Sequence, residues 1–310
     1  MKDQGILGGL HPFVKLLLLV LVMLASLMVV FIIGILAALP FFGTDIFRDM
    51  GTDAMDVNLI RYTQVLTHLG FFVGASLVFA FLVGYDPLGY LQGKQKPGLR
   101  PLLLSALVIM AAVPLVYYLT HLNQQLALPE SMRPLEEWMR RTEDQAEAIT
   151  RLLLDVTTLQ GLLFNIFMIA IIPAIGEEFV FRGAVQRIFR QWTGNIHVAV
   201  FIAAFLFSAM HMQFYGFMPR LLLGMILGYM FVVTGNIWVP VFAHFFNNAA
   251  AVVLYFFTRN SQTDFDMETV VAGPLVPVMA LVSLMVIIWL FRMMRYQPGQ
   301  PPSPQADNDG

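Results

Sequence analysis

The chain has 310 residues, of which 58% are hydrophobic and 12% are charged, and it carries a net charge of −2 and no cysteine. Soluble domains carry about 25% charged residues, so this composition excludes an ordinary soluble fold. The charge balance implies no basic surface for nucleic acid, and the lack of cysteine excludes disulfides, thiolate nucleophiles and cysteine metal sites.

Long uncharged stretches predict a polytopic membrane protein with about eight spans. A helix needs about 20 apolar residues to cross the hydrocarbon core, and residues 16–39 contain no charge. This first stretch is too long for the apolar part of a signal peptide, so we expect it to be retained. Alternation at period two is absent, so the predicted fold is an all-α transmembrane bundle in the lipid bilayer. The predicted spans are about 16–40, 63–84, 101–119, 159–180, 197–215, 220–235, 237–257 and 271–291.

Three regions follow from this pattern. Residues 1–158 contain N-terminal spans and a connector, residues 159–291 form a second transmembrane domain, and residues 292–310 form a tail. The tail is rich in proline and polar residues and is predicted to be disordered. The lysines and arginines number ten on the side of the N-terminus and eight on the other side, which favours both termini in the cytoplasm. The expected location is the plasma membrane.

The connector, at about residues 120–158, is the one sizeable segment predicted outside the membrane. Apolar residues after Pro134 recur at helical spacing, which predicts an amphipathic helix on the membrane surface or over the bundle. Such a helix serves either as a packed connector or as a gate for substrate. Three i,i+4 ion pairs are predicted on its exposed face, namely Glu136–Arg140, Glu137–Arg141 and Glu147–Arg151.

Two adjacent carboxylates, Glu177 and Glu178, follow the apolar stretch that begins near Leu159. Ionisable residues inside spans are costly and rare, so each is a functional hypothesis. Neighbouring side chains on a helix point about 100° apart, so the two carboxylates cannot act together. Glu178 can pair with Arg182 at i,i+4, whereas Glu177 is freer and suits a general base if it is buried. The alternative is that both acids are solvated at a cytoplasmic helix end.

Two histidines lie inside later predicted spans. Glu177 and His211 each lie 17 residues from Gly194, which is near the centre of the turn between two spans. Residues equidistant from the turn of a helical hairpin lie at the same depth, so Glu177 and His211 can meet. The alternative for His211 is a structural histidine bonded to a neighbouring carbonyl. His244 and Asn248 are spaced i,i+4 and share one helix face. The remaining histidines lie near span ends and are assigned no role: His11, His68, His121 and His197.

Together these motifs resemble the CAAX protease and bacteriocin-processing family of intramembrane proteases. The family pattern has Glu-Glu, three residues and Arg, then Phe, three residues and His, then His, three residues and Asn. The resemblance covers about residues 159–257, and no motif position departs from the pattern. The matching residues here are Glu177-Glu178…Arg182, Phe207…His211 and His244…Asn248.

The resemblance implies peptide-bond hydrolysis in a cavity within the bundle. The implied substrate is a membrane-associated peptide or protein, either prenylated or bacteriocin-like. In this interpretation Glu177 and His211 activate the attacking water, and His244 and Asn248 stabilise the oxyanion.

The resemblance leaves the cofactor and the class of protein open. The family has also been described as metalloproteases, in which case Glu177, His211 and His244 are candidate zinc ligands. A mechanism without metal is equally compatible with these residues. Arg182 is expected to orient Glu178 in either scheme. The alternative class is a non-catalytic membrane scaffold or a transporter that uses the same polar pocket.

Overall fold

The computed structural model describes residues 5–43, 56–126, 128–258 and 275–295, and these ranges form an all-helical bundle. Seven helices within them are long and apolar enough to cross a membrane. The predicted all-α transmembrane fold is therefore confirmed. In chain order the helices are α1 (Pro12–Phe42), α2 (Val57–Gly84), α3 (Leu99–Gln124), α4 (Arg133–Leu154), α5 (Leu159–Thr193), α6 (Ile196–Met210), α7 (Phe217–Thr234), α8 (Trp238–Thr258) and α9 (Val276–Arg295).

The fifth predicted span, α6, is shorter than the sequence indicated. It has 15 residues, which is about 22 Å of helix against a hydrocarbon core of about 30 Å. The prediction extended this span to residue 215, but the helix ends at Met210. Met212 takes a left-handed backbone conformation with φ of 53°, which an α-helix of L-residues cannot continue. Residues 211–216 therefore complete the connection to α7.

Long-range hydrogen bonds define one end of the bundle, which we call the terminal end. Gly5 N donates to Val83 O at the end of α2, and Lys15 Nζ donates to Gln191 at the end of α5. Arg100, at the start of α3, donates to Met293 O near the end of α9. The beginning of α1 and the end of α9 thus lie on the same side. Because both lie on one side, the chain must cross the membrane an even number of times, and eight predicted spans meet this requirement.

Two helices contain π-helical segments. α2 widens over His68–Gly74, and α5 widens over Ile166–Ile171 and again over Phe179–Val185. A π turn holds more residues than an α turn, so it rotates the side chains that follow relative to an ideal helix. The two segments of α5 lie on either side of Glu177 and Glu178. Both carboxylates are therefore presented by a distorted part of the helix.

Small residues allow α7 to pack closely on α6. A Cβ atom added to Gly224 would lie 3.1 Å from the Cα atom of Ala204, and Gly228 is one turn further along α7. Such i,i+4 small residues let the backbones of membrane helices approach each other. The carbonyls of these glycines also accept hydrogen bonds from α5, from Arg182 at 2.9 Å and from Gln186 at 3.3 Å. Polar side chains on two successive turns thus connect α5 to α7.

The predicted amphipathic helix in the connector is α4. The predicted pair of Glu137 with Arg141 is wrong. Glu137 pairs instead with Arg133, one turn nearer the start of the helix, at 3.2 Å. The tail also differs, because α9 continues to Arg295 and residues 292–295 are helical rather than disordered. The rest of the predicted tail, residues 296–310, lies outside the described residues. The other two predicted pairs are present, Glu136–Arg140 at 2.7 Å and Glu147–Arg151 at 2.5 Å.

Candidate active site

Glu178, Arg182 and His244 form a buried polar cluster between α5 and α8. Glu178 and Arg182 have no exposed surface, and Glu178 Oε1 accepts a hydrogen bond from Arg182 Nη1 at 3.0 Å. The same oxygen lies 2.9 Å from His244 Nδ1. The guanidinium also lies 4.8 Å from the centre of the Phe207 ring. The i,i+4 pair predicted from the sequence is therefore present, and it fixes the carboxylate that holds His244.

Glu177 faces a different set of side chains from Glu178. Its side chain is buried, with Oε1 3.6 Å from His68 Nε2 and Oε2 3.9 Å from His244 Nε2. Among the described residues, Oε2 is buried and has no hydrogen-bond partner. The alternative in which both acids are solvated at a helix end is therefore wrong. Glu177 has one oxygen that is unoccupied by protein.

His211 follows Met210, the last residue of α6, and occupies the C-cap position of that helix. Its Nδ1 lies 2.8 Å from the carbonyl oxygen of Phe207, one turn earlier. That contact orients the ring and leaves Nε2 for other partners. His211 and Glu177 line the same two cavities, although no contact within 4.0 Å joins them among the described residues, so their direct meeting stays a prediction. The carbonyl contact and the proximity to Glu177 occur together, although the sequence analysis treated them as alternatives.

Asn248 lies one turn after His244 on α8 and lines the same cavity. Its amide nitrogen donates to the carbonyl oxygen of Ile169 at 3.3 Å, and its Oδ1 accepts from Asn247 at 3.2 Å. An amide nitrogen carries two hydrogens, so one N–H of Asn248 is available to a ligand. The predicted shared face of His244 and Asn248 is present.

Two cavities meet at Glu177. The larger has a volume of about 330 Å³ and is lined by residues of α2, α4, α5, α6 and α8. The smaller has a volume of about 140 Å³ and is lined by residues of α3, α5, α6, α7 and α8. The larger volume lies within the range of small-molecule sites. Glu177, His211 and Asn248 line both cavities, so a group bound in either would contact them.

Two ionisable residues of the site were missed by the sequence analysis. His68 of α2 lines the larger cavity, and Arg220 of α7 lines the smaller one. His68 was read as a residue near a span end, and Arg220 was placed at the first position of its predicted span. Each nevertheless lies within a span, and an ionisable residue inside the membrane is the signal that could have identified both.

The candidate zinc ligands do not form a metal-binding group in this arrangement. Within the described ranges, no group of three or more His, Cys, Asp or Glu side chains could hold a metal ion. His244 Nδ1 contacts Glu178, and His244 Nε2 lies 3.9 Å from Glu177 Oε2. A structural zinc site needs about four ligands within 2.0–2.3 Å of the ion, and a catalytic site about three.

The fold and the site together define a multi-pass membrane protein with a buried carboxylate and histidines grouped at cavities inside the bundle. Residues 159–250 match the family model described as "Type II CAAX prenyl endopeptidase Rce1-like". The matched segment runs from α5 into α8 and contains all three sequence motifs. This match confirms the resemblance drawn from those motifs, over that part of the chain.

A weaker similarity extends to one curated protein, the uncharacterized protein YpbD of Bacillus subtilis (strain 168). The two chains are 27% identical over 111 residues, which is 34% of this chain and 54% of YpbD. The chain thus spans about half the length of the curated relative that it matches. No solved structure gave a significant match.

Proposed function

We propose that this protein is an intramembrane endopeptidase that hydrolyses peptide bonds in membrane-associated substrates. The observation that carries the proposal is Glu177, a buried carboxylate that lines both cavities, whereas Glu178 lines neither. Burial of a carboxylate costs free energy, so its retention at these cavities calls for a functional reason. The family match over residues 159–250 supports peptide-bond hydrolysis as the class of reaction.

Glu177 would act as the general base. A water molecule in contact with the Glu177 carboxylate would transfer one proton to it while the water oxygen attacks the carbonyl carbon of the substrate. His211 lines the same cavities and would hold this water from another side. When the tetrahedral intermediate collapses, the proton held by Glu177 would pass to the leaving nitrogen. Proton transfer of this kind contributes about 10²-fold to 10⁴-fold to a rate.

The smaller cavity would bind the developing oxyanion. His244 and Asn248 both line it, and each is held in place by a second contact, with Glu178 and with Ile169 O respectively. Groups that are already oriented stabilise charge without reorganising during the reaction. Arg182 would contribute indirectly, because it fixes Glu178, which in turn holds His244.

The larger cavity would receive the substrate segment next to the scissile bond. Its walls include apolar side chains from α2, α4, α5 and α6, for example Phe72, Leu153 and Met210. Such walls suit a peptide that arrives along the membrane, either prenylated or part of an apolar bacteriocin-like segment. Cleavage of prenylated and of unprenylated membrane-anchored peptides distinguishes these substrates.

Cleavage of a mixed set of membrane-anchored and prenylated peptides by the purified protein in lipid tests the proposal. The wild type and Glu177→Ala would be compared by mass spectrometry of the products, each with and without a strong chelator. We expect cleavage by the wild type and at least a 100-fold loss in the variant, in line with the contribution of a general base.

Each arm has a distinct meaning. Turnover by Glu177→Ala at the wild-type rate would remove Glu177 from the base role. Loss of wild-type cleavage with chelator would replace the metal-independent mechanism with a zinc-dependent one. No cleavage of any peptide by the wild type would favour the scaffold, which would use the same pocket to bind a partner helix.

A further inference from the structure

Among the described residues that line the two cavities, His68 is the one ionisable side chain from the N-terminal half of the bundle. It lies at the first position of the π-helical segment of α2, outside residues 159–250, and forms part of none of the three motifs. Its side chain is 12% exposed, so it is nearly as buried as Glu177. Among the described residues, no lysine or arginine lines the larger cavity, and its basic side chains are His68 and His211.

Three contacts fix the His68 ring. Nδ1 lies 3.0 Å from the carbonyl oxygen of Gln64, one turn earlier, and the ring stacks on Phe72 with 5.5 Å between the ring centres. Nε2 lies 3.6 Å from Oε1 of Glu177. The first two contacts hold the ring plane and direct its far nitrogen at the carboxylate. His68 is therefore oriented towards Glu177 before any ligand binds.

The backbone of α5 is shaped to bring α2 this close. A Cβ atom added to Gly176 would lie 2.7 Å from Cβ of Phe72 and 3.3 Å from the backbone nitrogen of Val73. Real Cβ atoms do not approach other atoms at 2.7 Å, so a larger residue at position 176 would push α2 away. The glycine directly before Glu177 thus permits the helix contact that places His68 at the carboxylate.

The two oxygens of Glu177 face different partners as a result. Oε1 faces His68, and Oε2, which lies 3.9 Å from His244 Nε2, is the buried oxygen without a hydrogen-bond partner among the described residues. A carboxylate that can rotate about its last torsion presents either oxygen to water. A neighbour that stays next to Oε1 restricts that rotation and fixes which way the carboxylate faces.

We propose that His68 is a positioning residue for Glu177: its ring, next to Oε1, fixes the direction in which the carboxylate faces the two cavities. This inference rests on the proposed function, because it assigns a role in the same hydrolysis. It also makes the N-terminal spans a part of the active site rather than a support for residues 159–250. Small misplacements of a reacting group cost on the order of 100-fold in rate.

The test replaces the ring while keeping its packing. His68→Phe preserves the stacking on Phe72 and removes both nitrogens, whereas His68→Gln keeps a polar side chain that can reach Glu177. His197→Phe is the matched control, since His197 contacts Tyr229 on another part of the surface and lines neither cavity. The values of kcat and KM would be measured for all three proteins, for Glu177→Ala and for the wild type, together with the thermal midpoint of unfolding.

We expect His68→Phe to lower kcat by on the order of 100-fold, with KM within about twofold of the wild type. His68→Gln should recover about a tenth or more of the wild-type kcat, a rescue that a purely structural role would not produce. An unchanged kcat in His68→Phe, with Glu177→Ala inactive, would overturn this inference and leave the proposed function in place. Turnover by Glu177→Ala, or no cleavage by the wild type, would overturn the proposed function and this inference together.

Discussion

At the scale of single residues, the ion pair of Glu178 and Arg182 is the element on which the site depends. Both side chains are fully buried, and Glu178 also holds His244. Loss of one partner from a buried pair leaves an uncompensated charge and costs about 3–5 kcal/mol. The pair therefore couples the stability of the bundle to the orientation of one histidine.

Arg182→Ala should destabilise the protein by about 3–5 kcal/mol, because Glu178 would remain buried without its guanidinium. The thermal midpoint of unfolding in detergent would fall, and cleavage would weaken. The double variant Glu178→Gln, Arg182→Met is the control, since replacing both charges with groups of similar size restores a neutral interior. It should regain most of the stability but not the activity, as His244 would lack its carboxylate. A wild-type midpoint in Arg182→Ala would contradict this account of the pair.

The residue-scale chemistry could be predicted only where it is local in sequence. The Glu178–Arg182 pair followed from i,i+4 spacing, and the placement of Glu177 and His211 at one cavity followed from their equal distances to Gly194. His68 could not be assigned in this way. His68 lies 109 positions before Glu177 in the sequence, and no periodic pattern connects the two residues.

At the scale of elements, α4 is the helix that covers the larger cavity. Leu153 and Thr150 of α4 line this cavity. The helix is attached to the segment that follows His211, since Tyr215 N donates to Glu143 at 2.8 Å and the Phe214 ring lies 5.3 Å from that of Trp138. α4 has one buried residue, Leu153, and helices with few buried side chains belong to the less stable part of a fold. The amphipathic pattern predicted the helix, but its docking partner lies far away in sequence.

Displacement of α4 should be needed for a protein substrate to reach Glu177. Because the chain has no cysteine, the variant Trp138→Cys, Phe214→Cys can be cross-linked at one place only with a short thiol-reactive reagent. We expect the cross-link to abolish cleavage of protein substrates and a reducible reagent to allow recovery. Each single cysteine variant, treated in the same way, is the control. An unchanged rate in the cross-linked protein would make α4 a packed connector.

The π-helical segments of α2 and α5 could not be predicted from the sequence. The apolar stretches located α2 and α5, and their ends agreed with the structure to within a few turns. Widened turns at His68–Gly74 and Phe179–Val185 then rotate the side chains away from ideal helical positions. A prediction that uses 3.6 residues per turn throughout cannot supply those rotations.

At the scale of the whole molecule, the bundle has a terminal end and an opposite end. The terminal end carries the start of α1 and the end of α9, and the opposite end carries α4 and the junction of Asn123 with Phe214. Although α6 is short, residues 211–216 extend its path to the end of α3. This segment therefore accounts for one of the eight predicted crossings. Of the ten positive charges counted for the cytoplasmic side, Arg182 is buried in the site and does not contribute to orientation.

We expect the terminal end to face the cytoplasm, since the loop charges favour that side. Single cysteines at Gln95 and Thr142 would report the two ends in the cysteine-free chain. In intact cells, a membrane-impermeant thiol reagent should label Thr142→Cys and spare Gln95→Cys until the membrane is opened. The reverse labelling would invert the orientation, and labelling of both would contradict the assignment of the two ends.

The central claim is that the carboxylate of Glu177 activates water for peptide-bond hydrolysis. The most direct test is kcat for Glu177→Gln, which keeps the size and shape of the side chain and removes its basicity. Glu147→Gln, on the exposed face of α4, is the matched control. We predict a loss of about 10²-fold to 10⁴-fold in kcat for Glu177→Gln, with the thermal midpoint preserved and the control fully active. A Glu177→Gln protein that cleaves at the wild-type rate would contradict the claim.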